Sequence, residues 1–158
     1  MDRLQLLKDI NIIKEGSSPS NLVAIGKTLF FTANDGISGI ELWKTDGTEA
    51  GTVRVKDISA GSSGSSISNL VAIGNTLFFS ASDGISGIEL WKTDGTEAGT
   101  GRVKDISAGS SDSSPSGFFA IGNTLFFRAN DGISGIELWK TDGTEAGTGR
   151  VKDIAAGS

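Results

Sequence analysis

Three carboxylates, Glu41, Glu89 and Glu137, each stand two residues before a tryptophan, Trp43, Trp91 and Trp139, at a constant interval of 48 residues. An acid beside an indole could serve two kinds of chemistry. The carboxylate could move a proton at a substrate, and the indole could stack on a sugar ring whose hydroxyls the neighbouring polar groups would hold. Three further acids, Asp46, Asp94 and Asp142, follow the tryptophans at the same period and each precedes Gly-Thr. The remaining inventory is thin. With no Cys, His or Tyr among 158 residues, there is no ordinary zinc site, no Ser-His-Asp or Cys-His nucleophile and no disulfide framework.

The same residues also have structural readings. In a strand, Glu and Trp two positions apart share one face, and a carboxylate there must pair or face water. Arg54, Arg102 and Arg150, on the strand expected alongside, are its natural partners, which predicts a structural ion pair in each unit. Identical copies in every unit speak against catalysis, which usually breaks repeat symmetry, so the chain reads as no enzyme. The Asp-Gly-Thr acids read as turn formers, the side chain accepting from amides two residues on. No Asp-x-Asp-x-Asp-Gly ladder is present to collect oxygens for calcium, and no cofactor or metal is expected. The tryptophans read first as core between sheets and second as shallow platforms for a glycan.

Charge narrows the partners. With 14 Lys+Arg against 19 Asp+Glu, a net charge of −5 and no basic run, a nucleic-acid binder that tracks phosphates is not expected. No apolar stretch approaches the ~20 residues of a membrane helix. The start, Met1 to Asp9, carries acids and lacks the apolar centre of a signal peptide. Zero cysteine suits any redox compartment, so the localisation stays open.

The elements that must carry these residues follow from the repeat. Gly-Ile-Glu-Leu-Trp-Lys-Thr-Asp-Gly-Thr-Glu-Ala-Gly-Thr occurs three times, whereas Lys-Asp-Ile occurs four times, at 8, 56, 104 and 152. The division is therefore an N-terminal closing strand over 1–10, repeats over 11–58 and 59–106, and 107–158 as a third repeat with the start of a fourth unit. The near identity of the second and third copies suggests recent amplification or a segment cut from a longer array. In the second copy, strands are expected at about 70–73, 76–82, 87–92 and 101–106, joined at Gly74-Asn75, at Asp83-Gly84 and by the 93–100 loop. The Ser- and Gly-rich tracts, such as 61–66 and 107–116, read as crossings between units.

Patterning grades the strands. Leu22 to Ile25 and Leu29 to Phe31 are continuous apolar runs, expected to be covered on both faces. Val53 and Val55 alternate with Arg54 and Lys56, as in a charged outer edge. Four-stranded sheets with apolar inner and charged outer strands predict an all-β chain of three β-propeller blades. A β-trefoil or β-prism, each also built from three four-stranded repeats, is the alternative.

The run Glu41-Leu42-Trp43-Lys44-Thr45-Asp46-Gly47-Thr48, repeated from Glu89 and Glu137, resembles the bacterial repeat family named for its E-L-W-x-x-D-G-T motif. The downstream Gly-Thr and Val-Lys-Asp-Ile agree with it, and the likeness covers almost the whole chain. It implies a propeller-like protein of long, often surface-associated bacterial chains without an assigned activity, usually with more than three repeats. The stretch from Ser80 to Trp91 also loosely resembles the Asp-box hairpin of sialidase-type propellers, although a sialidase would need a Tyr nucleophile.

Three blades fall short of the four to eight of closed propellers. The chain is therefore expected to complete its ring with copies of itself, a head-to-tail homodimer of six blades before a trimer of nine. The expected function is a non-enzymatic scaffold that self-assembles. The alternative is a multivalent lectin with one shallow site per repeat, and a glycan or protein ligand is the expected outside partner.

Overall fold

The computed structural model describes residues 6–13 and 15–154. These residues form twelve strands in three four-stranded antiparallel sheets, each sheet a meander in chain order. Sheet I holds β1 (Ser20–Ile25), β2 (Thr28–Asn34), β3 (Ile40–Thr45) and β4 (Val53–Lys56). Sheet II holds β5 (Ser68–Ile73), β6 (Thr76–Ser82), β7 (Ile88–Thr93) and β8 (Gly101–Lys104). Sheet III holds β9 (Ser116–Ile121), β10 (Thr124–Asn130), β11 (Ile136–Thr141) and β12 (Gly149–Lys152). Among the described residues no helix is long and apolar enough to cross a membrane.

The expected strands sit where the pattern placed them, with instructive differences at two ends. The first strand of each unit begins two residues early, because a bulge between Ser68 and Val71 lets it rejoin β6 after Asn69 turns to a φ of +55°. Asn tolerates that left-handed conformation, and its Nδ2 holds the bulge by donating to Ser80 Oγ at 3.1 Å. The last strand stops at Lys104 rather than Ile106. Ile106 leaves the ladder to bury its side chain between sheets and to donate its N–H to Glu89.

Alternation builds two apolar faces on every sheet. In sheet II the front face carries Leu77, Phe79, Ala81 and Trp91, packed on Phe30, Leu42, Val55 and Ile58 of the unit before. Its back face carries Phe78, Leu90, Val103 and Ile106, packed on Leu125, Phe127, Ala129 and Trp139 of sheet III. The cores therefore lie between consecutive sheets. A trefoil or prism needs one core common to three units, and the described residues do not form it. Burying side chains as large as Phe79 and Phe127 contributes about 1.5–3 kcal/mol each. The second strands β2 and β6 are covered on both faces as expected and β10 on one, but the first strands are not: Leu22 is exposed, because β1 is a sheet edge among the described residues. The sheets approach most closely at these edges, β5 lying beside both β1 and β9.

The two ends of the stack differ. Residues 6–10 form no strand, and residues 1–5 of the expected closing strand lie outside the described residues. The last strand of a unit pairs with the third strand of the same unit, as Arg54 does with Trp43, and among the described residues no third strand lies beside Lys8. The segment nonetheless repeats part of the role: Ile10 is buried against Phe31, Ala33 and Trp43, and Lys8 Nζ donates to Thr52 O at 2.8 Å. At the other end the back face of sheet III is open. Leu138, Val151 and Ile154 are 41%, 45% and 72% exposed, whereas their counterparts Leu90, Val103 and Ile106 are 0%, 5% and 6% exposed.

Candidate functional site

The repeated glutamate lies where the third strand faces the linker to the next sheet. Glu89 is fully buried and accepts from Ile106 N at 3.0 Å, Ser107 N at 3.4 Å, and Ser113 N and Oγ at 3.2 and 2.7 Å. Glu41 repeats the arrangement with Ile58 N at 3.1 Å and the Ser65 hydroxyl. Burial pushes both carboxyls above the ordinary glutamate range, opposed by these donors. Glu137 accepts from Ile154 N at 3.2 Å, with no serine bonded to it among the described residues.

The expected pairs of Glu41, Glu89 and Glu137 with Arg54, Arg102 and Arg150 do not form. The register sets Arg54 opposite Trp43 and Arg102 opposite Trp91, so each guanidinium lies away from the glutamate and reaches the acidic turns. Arg54 contacts Asp35 at 3.2 Å and Asp57 at 3.7 Å. Arg102 contacts Asp105 at 3.5 Å, and Arg150 contacts Asp131 and Asp153 at 3.4 and 3.5 Å. These pairs are partly exposed and worth about 0–1 kcal/mol each. The glutamates are held by neutral donors alone. A buried carboxylate whose lone pairs are filled by the linker has nothing left for a substrate; it fastens the linker to the sheet.

Sequence reasoning missed the serine half of this clamp, because Ser65 and Ser113 sit in tracts read as linker. One partial signal was available: Ser17, Ser65 and Ser113 keep the 48-residue period, as do Ser18, Ser66 and Ser114 beside them. Both inner serines are fully buried. Each also bonds the strands through its backbone, Ser65 N donating to Ile40 O at 3.0 Å and Ser65 O accepting from Ser82 N at 2.8 Å.

Trp43, Trp91 and Trp139 are 8%, 7% and 7% exposed. Trp91 and Trp139 fill the inter-sheet cores, Trp43 packs with Ile10, Phe31 and Ala33 on the front of sheet I, and none presents a ring face to a sugar, which corrects the stacking alternative. Their indole N–H groups have no hydrogen-bond acceptor among the described residues. Asp46, Asp94 and Asp142 do form turns. Asp94 Oδ1 accepts from Thr96 N and Oγ1 at 2.8 and 2.7 Å, and the same pair at each copy holds the carboxyl below its ordinary range. Asp83, in the Asp-box-like stretch, accepts from Ile85 N and Ser86 N at 2.9 and 2.7 Å, again a turn.

Shallow grooves flank the Asp-Gly-Thr loops, lined in sheet II by Thr76, Lys92, Asp94 and Ala98. In sheets I and II the loop lysine spans to the next unit, Lys44 Nζ donating to Gly95 O at 2.7 Å and Lys92 Nζ to Gly143 O at 2.6 Å. The third copy, Lys140, is exposed.

No family model matches the chain, and no curated protein matches it. Among solved structures, the computationally designed Ika8 protein superposes with a TM-score of 0.49 at 18% identity, over 88% of this chain and 37% of that one.

Proposed function

We propose that this chain is a non-enzymatic repeat module that assembles head to tail with copies of itself into a closed β-propeller, serving as a structural or interaction scaffold. The observation that carries this reading is the open back face of sheet III. Leu138, Val151 and Ile154 stand in water although the same positions are buried in sheets I and II. A repeat stack whose last sheet lacks a cap exposes apolar surface that another unit must cover.

The front face of sheet I carries Leu29, Phe31, Ala33 and Trp43, the same residue types that sheet II presents to sheet I. Two chains supply six blades, within the range of closed propellers, and three supply nine. In such a ring the first strands would line the central channel, which accounts for exposed Leu22, Phe119 and Ile121. The resemblance to the E-L-W-x-x-D-G-T repeats agrees with a scaffold role at a bacterial surface. A multivalent lectin would have to use the grooves beside the Asp-Gly-Thr loops, since the indoles are buried.

Light scattering at low micromolar concentration tests the reading. Twice the chain mass is expected; three times the mass keeps the ring and corrects the blade count. A monomer throughout the concentration range overturns the assembly.

A further inference from the structure

The inter-sheet joint is present in full twice and in halves at the two ends of the chain. In each complete joint a linker serine does three things. Its N–H donates to the carbonyl before the glutamate, its hydroxyl reaches the glutamate, and its carbonyl accepts from the end of the next second strand. Ser113 does so with Ile88 O at 3.1 Å, Glu89 and Asn130 N at 2.9 Å. Ser17 stands one period earlier and retains only the last of these: Asn34 N donates to Ser17 O at 2.9 Å. Ser17 is half-buried where Ser65 and Ser113 are fully buried. At the far end, Ile136 O and Glu137 form the matching sheet half, with no linker serine bonded to them among the described residues.

The glycine before each glutamate strand shows the same division. A Cβ on Gly87 would lie 2.5 Å from Ser111 O, so the linker presses directly on that backbone, whereas a Cβ on Gly135 would meet nothing within 4 Å. One period before Ser111 and Asp112, and one more, stand Glu15 and Gly16. Lys140 makes a third half-joint, because the acceptor equivalent to Gly95 O and Gly143 O is the carbonyl of Gly47.

Resting on the self-assembly reading, we propose that the head of one copy completes the buried glutamate clamp at the tail of another. Residues 15–17 of the partner subunit close over Gly135–Glu137, Ser17 of the partner subunit donates its hydroxyl to the Glu137 carboxylate, and Lys140 donates to the carbonyl of Gly47 of the partner subunit. This fixes the register of the ring as well as its contacts.

The repeat also says which segment yields. Lys8–Ile10 and Lys152–Ile154 stand 144 residues apart, three whole periods, so both cannot occupy one joint. Ile10 is seated at 8% exposure and Ile154 lies at 72%. The tail from Lys152 onward gives way, and the Ile10 N–H of the partner subunit replaces the Ile154 N–H on Glu137.

The test is the dissociation constant by sedimentation equilibrium for the full chain and the variants Ser17→Ala, Glu137→Ala and the pair. Losing a hydrogen bond to a charged group weakens association by about tenfold to a hundredfold. The double variant is expected to be no weaker than the worse single, because the Ser17–Glu137 bond is already absent in Glu137→Ala, which also loses the Ile10 N–H bond. Ser65→Ala, which breaks the equivalent clamp inside a chain, is expected to lower the unfolding midpoint and leave the dissociation constant unchanged. If Ser17→Ala associates as tightly as the full chain, or if the two effects add, the seam is in another register and this proposal fails while assembly stands. A full chain that is monomeric at every concentration removes the assembly itself.

Discussion

Leu90 and Leu138 occupy equivalent positions, opposite Ser80 and Arg128 of their neighbouring strands, and differ in exposure, 0% against 41%. Truncating each to Ala therefore measures what covers sheet III. Leu90 lies in one buried cluster with Phe78, Val103, Ile106 and Trp139, and its loss combines transfer and cavity terms of about 2–5 kcal/mol. In a single chain Leu138 is already partly in water, so Leu138→Ala costs about 1 kcal/mol or less there. If a second copy covers that face, Leu138 becomes a Leu90, and the same substitution costs about 2–5 kcal/mol in the assembled state. The excess, about 2 kcal/mol or more, is linked to association and appears only when the protein is concentrated. Urea unfolding of both variants at about 0.1 and about 100 μM reads this directly. The expected result is a concentration-dependent cost for Leu138→Ala and a constant one for Leu90→Ala. A Leu138→Ala cost that stays small and constant while the particle mass doubles would refute the argument, since another surface would then hold the copies together.

Trp91→Ala is expected to cost about 3–5 kcal/mol by chemical denaturation, but Trp91→Phe about 1.5 kcal/mol or less, because the indole N–H it removes has no acceptor; equal costs would count against that burial. Glu41 and Glu89 have raised folded values, so their contribution to stability is full below the unfolded glutamate value of 4.5 and is lost as pH rises through the folded value. Over that window Glu89→Gln should flatten the fall in urea midpoint with pH; an unchanged slope would remove Glu89 from the account. Asp35, Asp83 and Asp131, held low by turn amides and arginine charge, act in the opposite sense, their contribution being lost as pH falls below 3.8 through their folded values. Gly87→Ala and Gly135→Ala both strain a φ near +70°, yet only Gly87 has a carbonyl in the way; thermal melts should show the larger loss at Gly87, and equal losses would mean the linker does not press there.

The period and the apolar runs made most of this architecture legible. Phe78 and Phe79 announced a strand buried on both faces, and Asp94-Gly95-Thr96 announced the turn after β7. The first strand departs from expectation because Leu22 to Ile25 carries no mark that it is an edge; hydropathy reports affinity for a core, not the presence of one. The glutamate partner was misread for a geometric reason. Same-face logic places Glu41 beside Trp43 but does not say which cross-strand residue lies opposite, and the register put Arg54 against the tryptophan. Ser65 and Ser113 were hidden because a buried serine and a solvated one are the same letter, and recurrence does not separate them, since the exposed Ser66 and Ser114 recur at the same period.

The near identity of the sheets bears on how the chain folds. Every ladder joins strands adjacent in sequence, which favours quick, local closure. Yet β3, β7 and β11 are the same hexapeptide, Ile-Glu-Leu-Trp-Lys-Thr, and their partners β2, β6 and β10 share Thr-Leu-Phe-Phe. A hairpin that takes its third strand from the wrong unit keeps nearly all its side-chain contacts, and only the loop it must span disfavours the error. Correct pairing therefore rests on chain connectivity more than on residue chemistry, which makes strand exchange between units or chains the characteristic misfolding route of this molecule. Refolding at rising concentration should show it as a growing slow phase.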